Sequence, residues 1–161
     1  MNSLKKLIDI LDSMVDAHKH LLELTQEKRA ILIGGDLQNL MQITHRENSI
    51  ASEIEKLEIQ RKQFVEEYLT TKGYTGTSFT LEEIIKRLNE ASIEATLTTI
   101  GKQLRSIVQE ISTVNKGNQQ LIETSLAFLQ YSINLLVPKD APVGYGPKAK
   151  NKYASLLDAK V

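Results

Sequence analysis

Apolar residues recur at alternating steps of three and four along most of the first 137 residues, the spacing that keeps side chains on one face of an α-helix. The longest row runs Leu97, Ile100, Leu104, Ile107, Ile111, Val114, Asn118, Leu121, Ser125, Phe128, Ser132 and Leu135. It predicts a helix from about Ser92 to Val137, ended by Pro138, with a coiled-coil-like seam. About 45 residues at 1.5 Å each give such a helix a length of roughly 65 Å. Towards its end a second apolar row joins the first: Ile122, Leu126, Leu129, Ile133 and Leu136. Two aliphatic faces set about 100° apart exceed what one helix–helix contact covers, so a second copy or a client helix must shield them.

The same reading divides the rest of the chain. Leu4, Ile8, Leu11, Val15, His18, Leu22, Thr25, Arg29 and Leu32 form a first helical seam over residues 4–33, widened by Leu7, Met14 and Leu21. The seam thins at Thr25 and Arg29. Gly34-Gly35 then stops the helix, and Asp36 is a favourable N-cap for the next one. So short a connection predicts an antiparallel hairpin. The second helix, 37–71, carries Leu40, Ile43, Glu47, Ile50, Ile54, Leu57, Arg61, Phe64 and Tyr68, with Glu47 and Arg61 expected to snorkel at the bundle edge.

Residues 70–80 break every period with two glycines, five threonines and a serine, which reads as a loop. Thr80 and Glu83 then spell a capping box, and Phe79 can staple to Ile84, opening a short third helix over 81–90. The five-residue step from Leu88 to Ile93 places a break near Asn89–Ser92. Beyond Pro138, three prolines and two glycines fall within ten residues, excluding helix or paired strand. Residues 1–137 are therefore expected to form an all-α helical bundle domain, an elongated antiparallel hairpin or coiled-coil bundle of three to four helices. Residues 138–161 are expected to be a flexible C-terminal arm with two apolar points, Tyr145 and the segment containing Tyr153, Leu156 and Leu157.

Composition narrows the function. The chain has 161 residues, 41% apolar and 25% charged, with aromatics at 5% and no tryptophan, which favours helices. Formal net charge is zero, so no global field points to nucleic acid or an anionic membrane. The arm holds five lysines against Asp140 and Asp158, a local +3 that leaves −3 on the remainder; without an arginine it is read as solvated. The absence of cysteine excludes disulfides and thiol chemistry. The N-terminus lacks a signal-peptide pattern, and no apolar run approaches the ~18–20 residues a membrane span needs, so the expected location is cytoplasmic without membrane insertion.

Catalytic signals are sparse. His18 and His20 lie two residues apart, which points them to different sides of a helix, and no third ligand accompanies them; no metal or other cofactor is expected. Glu66-Glu67 and Glu82-Glu83 are adjacent rather than facing carboxylates, and Gly144-Tyr-Gly-Pro-Lys lacks the spacing of a phosphate loop. The chain is not expected to be an enzyme. More informative are Asn115, Asn118, Ser125 and Ser132, which interrupt aliphatic positions of the last helix. They either set the register of a coiled coil or pair with a client while leucines fill its grooves. Gly117 is either tolerated or admits another backbone.

The run Val114-Asn115-x-x-Asn118-x-x-Leu121-Ile122-x-x-x-Leu126, followed by Leu135-Leu136-Val137-Pro138 and then Tyr145-Gly146, resembles the FlgN-type flagellar export chaperones. The likeness extends to Leu7, Leu11 and Leu21-Leu22 of the first helix and to the Gly34-Gly35-Asp36-Leu37 turn; residues 70–95 carry none. It implies a cytoplasmic type III secretion chaperone that binds the terminal helices of the hook–filament junction proteins (FlgK/FlgL) and delivers them to the export gate. By position it implies client binding by Asn115, Asn118, Leu121, Ile122, Leu126, Leu129 and Ile133. It further implies docking of Tyr145 and Gly146 on the cytoplasmic domain of the export-gate membrane protein, with a homodimer as one client-free state. The terminal segment after Tyr145-Gly146 has no counterpart, and one role open to it is to fold back over an empty client groove. The competing reading is a structural coiled-coil protein whose extra seam serves homo-oligomerisation alone.

Overall fold

The computed structural model describes residues 2–76 and 80–137. Four helices account for them in order: α1 (Asn2–Gly34), α2 (Leu37–Thr71), α3 (Leu81–Lys86) and α4 (Ala91–Leu136). The fold is all-α, with no strand among the described residues. It divides into two compact units, Met1–Asn115 and Lys116–Val161. The arm 138–161, with Tyr145 and Gly146, lies outside the described residues, as does Phe79 with its expected staple.

In the first unit, Gly35 turns the chain between α1 and α2 at φ +71°, a left-handed conformation that glycine adopts without steric cost. Its N–H donates to the Ile31 carbonyl at 3.0 Å, closing α1. Asp36 caps α2 as its sequence position predicts: its side chain accepts from the Asn39 N–H at 3.1 Å. The antiparallel register is fixed by side chains that meet across the hairpin. Lys28 pairs with Glu47 at 3.2 Å, and Arg46 with Glu27 at 3.7 Å.

Buried residues from all four helices form one core, with Leu7 and Leu11 from α1, Val65 and Leu69 from α2, Ile84 from α3, and Leu97 through Ile111 from α4. Helix α1 buries two rows rather than one. Of the predicted stripe Leu4, Leu11 and Val15 are inside, and so are Leu7 and Met14, which were expected to widen it. Of the two positions where the seam was expected to thin, Arg29 is exposed and Thr25 is not. Thr25 is buried, and its hydroxyl donates to the Leu22 carbonyl at 2.8 Å, which satisfies the polar group inside the helix itself. Ile10, Ala17 and Leu24, spaced by sevens, form the second buried row, one that the predicted seam did not include.

The C-terminal half of α2 shows a similar shift. Phe64 and Tyr68, the predicted seam positions, are half-buried, whereas Val65 and Leu69 beside them are buried. Helix α3 also packs on α2, so the covered arc there is wider than a single antiparallel contact would produce. Glu47 and Arg61 do not snorkel outward. Each is held at the packed edge by an opposite charge: Glu47 by Lys28, and Arg61 by a two-pronged pair with Glu58 in which both contacts are 2.7 Å.

Thr80 accepts from the Glu83 N–H at 3.3 Å, as a capping box requires. The Glu83 carboxylate, however, pairs with Arg87 at 3.1 Å. That pair sits one turn on, where a carboxylate early in a helix and a cation late in it both suit the helix dipole. Helix α3 ends at Lys86, shorter than the predicted 81–90, and the chain re-enters a helix at Ala91, within a residue of the expected break. The Arg87 guanidinium lies 4.1 Å from the centre of the Tyr74 ring, tying the preceding loop to this turn. A Cβ on Gly101 would sit 3.4 Å from Leu81, so α3 approaches α4 closely there.

The paired Arg61 guanidinium holds the Glu58 carboxyl below its ordinary range, against a smaller opposing effect of burial; Lys62 and His18 add to the lowering. A carboxyl with a depressed folded-state pKa contributes stability above its unfolded value, and that contribution is lost as pH falls through the folded value. Glu58→Gln is therefore expected to cost about 0.5–1 kcal/mol at pH 7. Urea unfolding of both proteins should show the difference shrinking as pH drops through the acid range; a difference that stays constant down to pH ~2 would exclude this account.

Candidate client-binding face

The second unit contains the end of α4 from Lys116. A Gln119–Glu123 hydrogen bond of 3.2 Å, one turn apart, supports its first turns. From Thr124 to Val137 there is no charged residue at all. Such a stretch lacks the polar face that ordinarily meets water on a surface helix.

Burial along α4 changes abruptly. Ile111 is the last apolar member of the core, and of the described residues after it only Asn118 is buried, at 3% exposure. Leu121, Ile122, Leu126 and Ser132 are half-buried. Then follow Phe128 (68% exposed), Leu129 (54%), Tyr131, Ile133, Leu135, Leu136 and Val137, all exposed. Apolar area of this density at one helix end is uncommon on a monomer's surface and marks a contact site for another molecule.

The predicted residues thus fall into three settings. Asn115 is exposed and Asn118 is inside; Leu121, Ile122 and Leu126 are half-covered; Leu129 and Ile133 are open. Leu129 and Ile133 share the row of Ile122, Leu126 and Leu136. Sequence reasoning left out Tyr131. Its signal was present in the steps Gly117, Leu121, Thr124, Phe128, Tyr131 and Leu135, which alternate four and three and define a face distinct from the row of Leu129.

Nothing on this face suits catalysis, since it carries no titratable pair and offers only apolar contact and a few amides and hydroxyls. In the first unit, a cleft of about 540 Å³ is floored by Leu11, Met14, Ile85 and Leu104, with Glu58 and Arg61 at its wall. Those two are already paired with each other, and Arg105 at the rim pairs with Glu82 at 3.1 Å. His18 donates from Nδ1 to the Met14 carbonyl at 2.6 Å, which commits that ring nitrogen to its own helix.

A helical bundle with an uncharged, exposed helix end presents a surface suited to contact with another polypeptide. The comparisons with known proteins place it further. The FlgN protein family profile matches residues 1–152, and the chain belongs to the FlgN family. It is accordingly a flagellar export chaperone that binds flagellar export substrates, in a family not known for catalysis. Uncharacterized protein YvyG of Bacillus subtilis (strain 168) is 28% identical over 148 residues, covering 92% of this chain and 89% of that protein. No solved structure matches the chain. Among the described residues, no helix is long and apolar enough to cross a membrane.

If the end of α4 is kept for binding and not for folding, its exposed residues should be dispensable for stability. Leu129→Ser is expected to change unfolding free energy by no more than about 0.5 kcal/mol. Leu97→Ala, in the core on the same helix, should cost about 2–5 kcal/mol. Chemical denaturation monitored by circular dichroism compares the two, and equal losses would mean that the end of α4 belongs to the folding core.

Proposed function

We propose that this chain is a cytoplasmic chaperone for the hook–filament junction proteins, seating a terminal client helix along Leu121, Ile122, Leu126, Leu129 and Ile133. The observation that carries the reading is the uncharged end of α4, whose leucines and isoleucine stand open in a FlgN-family chain. An amphipathic client helix laid in this row would exchange water for aliphatic contact on both sides, the usual helix-in-groove mode. Asn115, exposed one turn before the half-buried leucines, is placed to meet a client's polar backbone or side chain. Asn118 sets the floor of the seat from inside. Polar positions in an otherwise aliphatic row keep such a contact reversible, as delivery for export requires.

Tyr145 and Gly146 then dock the loaded chaperone on the cytoplasmic domain of the export-gate membrane protein. This assignment rests on the Pro138…Tyr145-Gly146 pattern alone. The work is done by binding, without catalysis or a cofactor.

Placing a charge in the row tests the seat. Leu129→Asp combined with Ile133→Asp is expected to weaken binding of a purified junction protein by at least about 30-fold, roughly 2 kcal/mol. Helicity should be unchanged. If sedimentation instead shows that the change dissociates a stable dimer and leaves junction-protein binding intact, the row serves self-association, as in the structural coiled-coil reading.

Tyr145→Ala separates docking from client capture. Client affinity should stay as in the wild type, while secretion of the junction proteins by cells carrying the variant falls. Undiminished secretion, or undiminished binding of the variant to the gate protein's cytoplasmic domain, would remove Tyr145 from this role.

A further inference from the structure

One client helix covers a stripe of about 100°, and the row of Ile122, Leu126, Leu129 and Ile133 uses it. The stripe of Phe128, Tyr131 and Leu135 lies roughly 100–150° away around α4, beyond the reach of that same helix. Its three side chains are 68%, 61% and 68% exposed. They form an apolar strip with two aromatic rings, continued by one turn towards the helix start at Thr124. Filling the client seat leaves this strip in water, so it needs an occupant of its own.

We propose that the strip is covered by the chain's own segment Tyr153-Ala-Ser-Leu-Leu157, which docks beside a client and not in its place. The assignment of the strip as the free face rests on the client seat proposed above. Three considerations select this occupant. Tyr153, Leu156 and Leu157 are spaced i, i+3 and i+4, a sequence spacing that would set a ring and two leucines on one side to match two rings and a leucine. Fifteen residues, 138–152, separate the end of the described chain from this segment. Fully extended they span up to about 50 Å, whereas the strip lies within about 12 Å of the α4 terminus along the helix.

Tethering is the third consideration. A segment on a linker of this length meets its site at an effective concentration in the millimolar range, which outcompetes a second copy of the chain at ordinary protein concentrations. The strip carries no charge, and neither do residues 153–157, so the contact is neutral and purely apolar. Tyr153, Leu156 and Leu157 also fall outside the residues matched by the FlgN family profile.

The absence of cysteine makes a spin-label test direct. Ala154→Cys in the full chain is labelled with a nitroxide, and amide signals of α4 are recorded. The expected result is strong loss of signal between Phe128 and Leu135 that persists when the labelled chain is diluted with excess unlabelled protein. Tyr131→Ser should restore those signals, and Leu129→Asp, which disables the client seat, should leave the loss in place. Adding a junction-protein terminal peptide to the otherwise unaltered labelled chain should also leave it in place.

Signals that are never broadened would overturn the proposal. So would broadening that appears only between a labelled chain and a separate isotope-enriched chain, which would make a second copy the occupant. Expulsion of the label by the peptide would place the segment on the client seat and equally refute docking on the strip. Failure of the client seat itself reads out separately, as unchanged junction-protein binding by the Leu129→Asp chain.

Discussion

The constraint on which the structure depends is the length over which apolar side chains can be covered. Helix α1 supplies two buried rows, and α2, α3 and the first part of α4 close around them into a single core. That core takes its last apolar residue from α4 at Ile111, yet apolar positions continue to Val137. Burial of aliphatic area drives folding only where a partner surface exists. In the first unit the core residues have one, while Ile33, Leu37 and Met41 beside the hairpin turn and the residues at the end of α4 stand exposed.

This division connects stability with function. The first unit is held by a conventional core and by ion pairs at its packed edges, where Lys28 meets Glu47 and Glu58 grips Arg61. Those pairs let long charged residues occupy interior-facing positions without leaving a lone charge. The end of α4 has the opposite character: no charge, little burial, and side chains whose stabilisation is realised only when something binds. A FlgN-family chaperone has to take up an export substrate and give it up again. An incomplete helical surface interspersed with Asn115, Ser125 and Ser132 suits that task better than a finished core.

Much of this was legible in the residues. The four helices, the glycine turn, the Asp36 and Thr80 caps and the length of α4 follow from local rules, because capping and periodicity act within a few residues. Where reading failed, the cause was tertiary. The strict three-four count stayed with Phe64 and Tyr68, but Val65 and Leu69 beside them are the positions buried in the core that all four helices share. It also lost Leu24, which belongs to a second buried row with Ile10 and Ala17 that the count did not follow. In the candidate site, the row of Leu129 and Ile133 could be read from spacing, and Tyr131 was missed although its stripe has the same spacing.

The sequence by itself determined that α4 carries more apolar surface than one contact can hide, since composition and period are properties of the chain. It determined the family resemblance as well, through the asparagine and leucine cluster and the Tyr145-Gly146 pair. Only the tertiary structure decided which of those residues are covered. Asn118 and Phe128 occupy the same predicted seam, yet one is buried and the other open. A periodic pattern states which side chains face one way, and only the presence or absence of neighbouring helices decides whether that face is core or binding surface.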